Sequence, residues 1–284
     1  MAEELEIKLT VAEPDLNRVA LWASARSDAR YEAEQALFNR YYDTPDAVLN
    51  RQQAALRVRR LGTNYVQTLK TRGDFVAGAH RRQEWEWPLS SANLDVSLLA
   101  ETPLASVINL ERLSVVFETN FRRRTWRLNH WDAEVEMALD EGAVVSGSRR
   151  SPLCEVEFEL KSGASGRLLE LAMALAGQVP VFLNLVSKAE QGYFLAGMHR
   201  PVLAPSDASL SVTDFLHLLG LAWMLEVPVP IARLRLDTVA DAAERVGQGA
   251  AFQWVVAELA AGRLVRSLAR ETALGQLQLS LAAV

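Results

Sequence analysis

The chain is poor in the residues on which several common chemistries depend. Its 284 residues include one cysteine, Cys154, so no intramolecular disulfide can form, and its apolar neighbours Leu153 and Val156 suit an inert, buried thiol. The four histidines, His80, His130, His199 and His217, are scattered without metal-ligand spacing and read as surface or satisfied core positions. There is no GxxxxGK[ST] loop, no GxGxxG behind a strand and no GxSxG elbow, so neither helix-cradled nucleotide binding nor an elbow-type serine nucleophile is indicated. The longest apolar stretch, Phe215 to Ala232, is interrupted by His217, Glu226, Pro228 and Pro230, which makes it a core helix and not a membrane span. An excess of positive charge is missing as well: 30 Lys and Arg stand against 35 Asp and Glu, a net charge of -5, which excludes the broad positive field of a general nucleic-acid binder. The opening Met1, Ala2, Glu3, Glu4 is the opposite of a basic signal-peptide start. The expectation is a cytoplasmic protein with no membrane and no nucleic-acid partner.

What is present is a substantial core, 50% of residues being apolar, and two kinds of periodicity. Up to about Lys161, period-two alternation recurs in eight segments of strand length: Glu3 to Leu9, Phe38 to Asp43, Ala54 to Arg60, Tyr65 to Thr71, Arg81 to Pro88, Phe121 to Leu128, Ala133 to Leu139 and Leu153 to Lys161. Helices are expected from Pro14 and Asp15 to Trp22, in one or two short pieces over Asn93 to Leu110, and from Arg167 to Ala176 before Gly177 and Pro180. Residues 201–211, with Pro201, Pro205 and a Ser/Asp cluster, resemble a linker. Beyond them Val212 to Glu226, Ile231 to Val246 and Ala250 to the C-terminus are helical in pattern, a small all-α unit over 212–284 following a main unit over 1–200. The Leu/Ala-rich stretch from Ala250 to Val284 suits intramolecular core, or else the seam of a homodimer.

Successive side chains on a strand point to opposite faces, so the placement of charge is informative. Glu4, Glu6 and Lys8 share a face opposed to Leu5, Ile7 and Leu9; Arg57 and Arg59 oppose Leu56 and Val58; Arg82, Glu84 and Glu86 oppose Trp85 and Trp87. Arg122, Arg124 and Trp126 are in register, and Glu155, Glu157, Glu159 and Lys161 oppose Val156, Phe158 and Leu160. One dry and one wet sheet face would give such ribbons too, but carboxylates gather on the first and last strands and guanidinium groups on the middle ones, which exposure alone does not require. Eight antiparallel strands suffice to close a barrel. The expected fold is therefore α+β: an eight-stranded antiparallel β-barrel, or tunnel, with peripheral helices and a small C-terminal helical domain. Charges facing inward need pairing or bound ions. Carboxylates without His or Cys favour Mg²⁺ or Mn²⁺, and clustered Arg and Lys favour phosphate oxygens, so a metal-bridged polyphosphate satisfies both sets.

These residues resemble the CYTH, or triphosphate tunnel metalloenzyme, superfamily. Glu4-Leu5-Glu6-Ile7-Lys8 is similar to its ExExK signature. It is followed in order by Tyr41-Tyr42-Asp43-Thr44-Pro45, Leu56-Arg57-Val58-Arg59, Thr68-Leu69-Lys70, Glu84-Trp85-Glu86, the Arg122 to Arg124 run, Glu134-Val135-Glu136, Glu155 to Leu160 and Ser187-Lys188. The resemblance covers roughly residues 1–200 and implies a tunnel that hydrolyses inorganic triphosphate, thiamine triphosphate or nucleoside triphosphates, or cyclises ATP; bacterial inorganic triphosphatases with a C-terminal helical domain are the nearest in layout. It implies Glu4, Glu6 and Glu157 as metal ligands with Glu155 and Glu159 beside them. It further implies Lys8, Arg57, Arg59, Lys70, Arg122, Arg124 and Lys188 as phosphate contacts, with Glu84, Glu86, Glu136 and Asp140 orienting the basic groups or assisting water. Glu4, Glu6, Lys8, Glu157 and Lys188 would be the catalytic set. A non-catalytic polyphosphate or nucleotide sensor is the reading from another class, disfavoured because a plain anion binder gains nothing from carboxylates beside its ligand.

Overall fold

The computed structural model describes residues 2–76, 79–102, 104, 109–203 and 209–284. The alternating segments become strands β1 (Ala2–Thr10), β2 (Ala29–Asp43), β3 (Ala55–Leu61), β4 (Asn64–Val76), β5 (Ala79–Leu89), β6 (Ser114–His130), β7 (Ala133–Ser146) and β8 (Arg149–Ser162), all paired antiparallel. Their order is β5-β4-β3-β2-β6-β7-β8-β1. The first half of β1 bonds β5 (Ala2 to Glu6) and its second half bonds β8 (Glu6 to Thr10), so the sheet forms a nearly closed barrel. A ninth strand of two residues, β9 (Phe182–Leu183), adds to the end of β1.

The barrel turns its charged faces inward and its apolar faces outward. Ile7 and Leu9 of β1, Val135, Met137 and Leu139 of β7, and Val156 and Phe158 of β8 are buried beneath two helices, α1 (Leu16–Ser24) and α3 (Gly166–Ala176), in the largest core cluster. On the opposite side Leu56, Leu69 and Leu49 of the short helix α2 (Val48–Arg51) pack with Leu99, while Trp85 and Trp87 cover them. Burial of apolar surface thus lies outside the barrel wall, at about 25 cal/mol per Å², and the interior is left for polar groups.

Helix α4 (Lys188–Ala196) lies against β6 and β7. Its capping box is complete: Glu190 N–H donates to Ser187 Oγ at 3.1 Å and Ser187 N–H donates to Glu190 Oε2 at 2.8 Å. Gly192 permits close approach, since a Cβ there would stand 2.1 Å from the ring of Phe117.

The C-terminal residues form α5 (Val212–Leu225), α6 (Asp237–Arg245), α7 (Gly249–Ala260), α8 (Val265–Leu268) and α9 (Thr272–Ala282). They build a core of their own around Phe215, Leu219, Val255 and Leu277. Leu216 and Leu279 also join the core beneath α3, and the buried amide of Gln278 bonds both the N–H and the carbonyl of Leu183 (3.1 and 3.0 Å). Gly275 lets α9 approach, for a Cβ would meet the Val181 carbonyl at 2.2 Å. The leucines of the Ala250 to Val284 stretch, Leu274, Leu277, Leu279 and Leu281, are fully buried within this chain, as intramolecular core requires.

Several boundaries differ from the sequence-based expectation. Strands β2 and β6 begin at Ala29 and Ser114, well before Phe38 and Phe121, because the two pair with each other along almost their whole length and the ladder overrides weak local propensity. The α-helix expected over Ile231 to Val246 starts only at Asp237: Ile231–Arg233 makes a single 3-10 turn, Leu234 is extended, and Leu210 N–H donates to the Arg235 carbonyl at 2.9 Å. The last expected helix is three, broken at Gly262, whose φ is +85°, and before Thr272. Part of the expected linker, 204–208, and of the helical pieces over Asn93 to Leu110 lies outside the described residues. Among those described, no helix is long and apolar enough to cross a membrane.

Candidate active site

The interior is a cavity of about 260 Å³ whose lining, among the described residues, carries seven carboxylates and seven cations. Strand register explains how they meet. Directly opposed across the ladders are Glu6 and Glu159, Lys8 and Glu157, Lys70 and Glu84, Tyr41 and Arg57, and Arg123 and Asp140. Of the expected residues, Glu4, Glu6, Lys8, Arg57, Arg59, Lys70, Glu157, Glu159 and Lys188 line the cavity. So do Glu84, Glu86 and Glu136.

Two of the expected phosphate contacts are not there. Arg122 lies on the outer wall, half exposed, donating to Glu141 at 2.9 Å and 3.5 Å from Glu34. Arg124, two residues on along the same strand, is likewise absent from the lining. The cavity takes Arg123 instead. The signal was available: Trp126 shares the parity of Arg122, and it sits on the buried outer face with its indole donating to Ser24 of α1 at 3.2 Å. Glu155 is also displaced from the lining; it is buried behind it beside Asp140 and Glu157.

The acidic and basic groups are unequally paired. At one end Lys188, the first residue of α4, reaches into three carboxylates: Glu157 at 2.6 Å, Asp140 at 3.1 Å and Glu155. Arg123 grips Asp140 with two bonds of 2.7 Å and also donates to Glu157. Burial alone would pull the Lys188 ammonium down, but Glu155, Glu157 and Asp140 outweigh it and hold its pKa well above that of an ordinary lysine. Burial would likewise push Glu157 up, yet Lys188 and Arg123 keep it well below the carboxylate range. Glu155 goes the other way, raised first by burial and then by its neighbour Glu157. At the opposite side Lys70 bonds Glu4 (2.8 and 2.7 Å) and lies 3.4 Å from Glu84, and Lys8 lies 3.6 Å from Glu6.

The basic wall between these ends is less neutralised. Arg57 lies 3.9 Å from the Glu84 carboxylate, and its buried Nε has no hydrogen-bond partner. Arg59 donates through Nε to the neutral amide of Asn39 at 2.7 Å. Burial, then the repulsion of Arg57 and Arg123, draws the Arg59 pKa down to about 9, which marks a cation without a counter-ion. The buried phenol of Tyr41, which burial would raise, is instead pulled below its usual value by Arg57 and Arg59.

The donor set suits a hard divalent cation. Asp140, Glu155 and Glu157 each offer a carboxylate oxygen within 4.8 Å of one another, no His or Cys intervenes, and Glu155 Oε1 is buried without a hydrogen-bond partner. Away from the cavity, Cys154 is half-buried and its thiol is pushed up to about 11 by burial, the condition of an unreactive thiol.

The barrel is thus a nearly closed, inward-charged tunnel, with its lining arginines on β3 and β6 and most of its lining carboxylates on β1, β5 and β8. The chain belongs to the CYTH domain family, which matches it over residues 2–193. Among curated proteins the inorganic triphosphatase of Haemophilus influenzae is 31% identical over 197 residues, covering 69% of this chain and 55% of that protein, so the match spans about half the length of this relative. Among solved structures, a Hippeastrum protein described as an adenylyl cyclase candidate with a dominant triphosphatase activity superimposes with a TM-score of 0.50 at 21% identity, over 70% of this chain and 98% of its own. At that identity the likeness is one of fold.

Proposed function

We propose that this chain is a cytoplasmic enzyme that hydrolyses inorganic triphosphate to diphosphate and phosphate inside the tunnel, with Mg²⁺ or Mn²⁺. The observation that carries the reading is the incompletely neutralised pair Arg57 and Arg59 facing a carboxylate wall across one small cavity. Arginines gathered on β3 and β6, with carboxylates of β1, β5 and β8 across the cavity, suit an anion that brings its own cation. At about 260 Å³ the cavity falls below the roughly 300–1,000 Å³ of pockets that enclose drug-sized ligands, which favours a bare phosphate chain over an enclosed nucleoside.

In this reading Lys8, Arg57, Arg59, Lys70, Arg123 and Lys188 contact phosphate oxygens, and Glu4, Glu6, Glu157 and Glu159, with Asp140 and Glu155 behind, hold the metal. When bound, the divalent ion supplies charge neutralisation and substrate orientation. Phosphoryl transfer asks the protein for alignment and for cations placed where charge develops, and the strand ladders fix both. Guanidinium groups anchored to the barrel wall need little reorganisation as the leaving phosphate gains charge. A carboxylate of the acidic wall takes the proton of the attacking water.

The test is phosphate release from inorganic triphosphate, thiamine triphosphate and ATP, each with Mg²⁺ and with Mn²⁺. The expected outcome is turnover fastest on inorganic triphosphate and abolished by chelation. Binding without release would favour a sensor, and faster turnover of thiamine triphosphate or cyclisation of ATP would replace the substrate.

A further inference from the structure

Asn39 is absent from the residues expected to act, yet it holds Arg59, the least neutralised tunnel cation among the described residues. It stands on β2 directly opposite Arg59 on β3 and is fully buried. Both ends of its amide are engaged. Nδ2 donates to the carbonyl of Thr119 on β6 at 2.8 Å, and Oδ1 accepts from Arg59 Nε at 2.7 Å. The orientation is forced, because a backbone carbonyl cannot donate and a guanidinium cannot accept.

Three other cations of the tunnel are closely matched with carboxylates: Arg123 with Asp140 and Glu157, Lys188 with Asp140, Glu155 and Glu157, and Lys70 with Glu4. An aspartate at position 39 would have nearly the same shape as the asparagine and would complete that pattern. The neutral amide gives Arg59 direction without cancelling its charge, and one bond through Nε leaves the forked terminal nitrogens for a phosphate.

We propose that Asn39 is a positioning residue for the triphosphate site, orienting the Arg59 guanidinium through a neutral bond so that its full positive charge stays available to a phosphate oxygen. This rests on the reading of the tunnel as a triphosphate site. The reason for an amide in place of a carboxylate is electrostatic: a built-in counter-ion would compete with the substrate for the same cation. The cost is a charge held in the barrel without a direct carboxylate partner, which agrees with the lowered pKa of Arg59.

Comparison of Asn39→Asp with Asn39→Leu separates this role from a structural one. Both are close in size to asparagine and both lose the donation to Thr119, so the cost to the fold is shared. The aspartate alone supplies a counter-ion, and it should raise KM for inorganic triphosphate by about tenfold or more above that of the leucine variant, a difference of about 1.4 kcal/mol or more, while kcat changes less. Equal KM values in the two variants, with the unsubstituted protein active, would overturn the inference alone. No triphosphate binding by the unsubstituted protein would overturn the proposed function and this inference with it. Should neither variant fold, arginine ¹⁵N NMR of the unsubstituted protein decides: on titration with triphosphate the Arg59 Nε–H should stay protected while its terminal nitrogens shift, and loss of the Nε–H protection would refute the role.

Discussion

Lys188→Met should destabilise the protein by about 3–5 kcal/mol near neutral pH, the cost of leaving a buried charge unpaired, and the loss should shrink as the pH falls. The ammonium of Lys188 is the shared partner of Asp140, Glu155 and Glu157, and Asp140 is fully buried. Methionine preserves the apolar stem, so the packing of α4 is largely kept and the electrostatic loss is isolated. The sign follows from linkage. Glu157 is held well below its ordinary value, so in the unsubstituted protein it contributes stability that is full above the unfolded carboxylate range and is lost as the pH falls through its folded pKa. Without Lys188 the cluster loses the cation that lowers Glu157 and opposes the rise of Glu155, and its carboxylates shift upward. Protonation then removes the penalty at mildly acidic pH. Urea denaturation of both proteins at neutral and acidic pH measures this. A loss that is independent of pH would show that Lys188 acts through packing alone.

Arg123→Gln should lower kcat/KM for inorganic triphosphate by about 10²–10³, the usual cost of removing one charge-stabilising donor from an active site, whereas Arg122→Gln should leave it nearly unchanged. The two arginines are adjacent in sequence and differ in the face they occupy. Arg123 lines the cavity, while Arg122 meets Glu34 and Glu141 at the exposed outer wall, where ion pairs contribute little. Asp140 keeps Lys188 at 3.1 Å in the Arg123 variant, so its burial remains compensated. Steady-state kinetics of the pair, with urea midpoints as a control for folding, settles it. Equal losses in both variants would contradict the inside-outside assignment of β6.

The barrel was legible where a strand carries strict alternation along its whole length. Glu4, Glu6 and Lys8 against Ile7 and Leu9, and Glu157 and Glu159 against Val156 and Phe158, fix their own parity, and the structure places them as that parity requires. Parity fails on β6. There Phe121 is an inward apolar residue, the run Arg122, Arg123, Arg124 offers charge to both faces, and the parity is marked by the outward Trp126 and Leu128. Asn39 and Tyr41 were hidden for a different reason: a neutral side chain that supports a cation has no periodic signature, and its role depends on the partner across the ladder. Helix α4 was hidden in plain view, since Ser187 and Glu190 have capping-box spacing but the segment behind them has weak amphipathic character. The docking of the C-terminal helices through Gln278 and Leu279 depends on tertiary contacts that no local pattern encodes.

The most direct test is a crystal structure of the protein with inorganic triphosphate and Mn²⁺, the ion located by its anomalous signal. The phosphate chain should lie within the barrel against Arg57, Arg59 and Arg123, with the ion on the carboxylate side. Triphosphate bound on the outer wall beside Arg122 and Arg124, with the interior cations still paired only with the barrel's own carboxylates, would contradict the account.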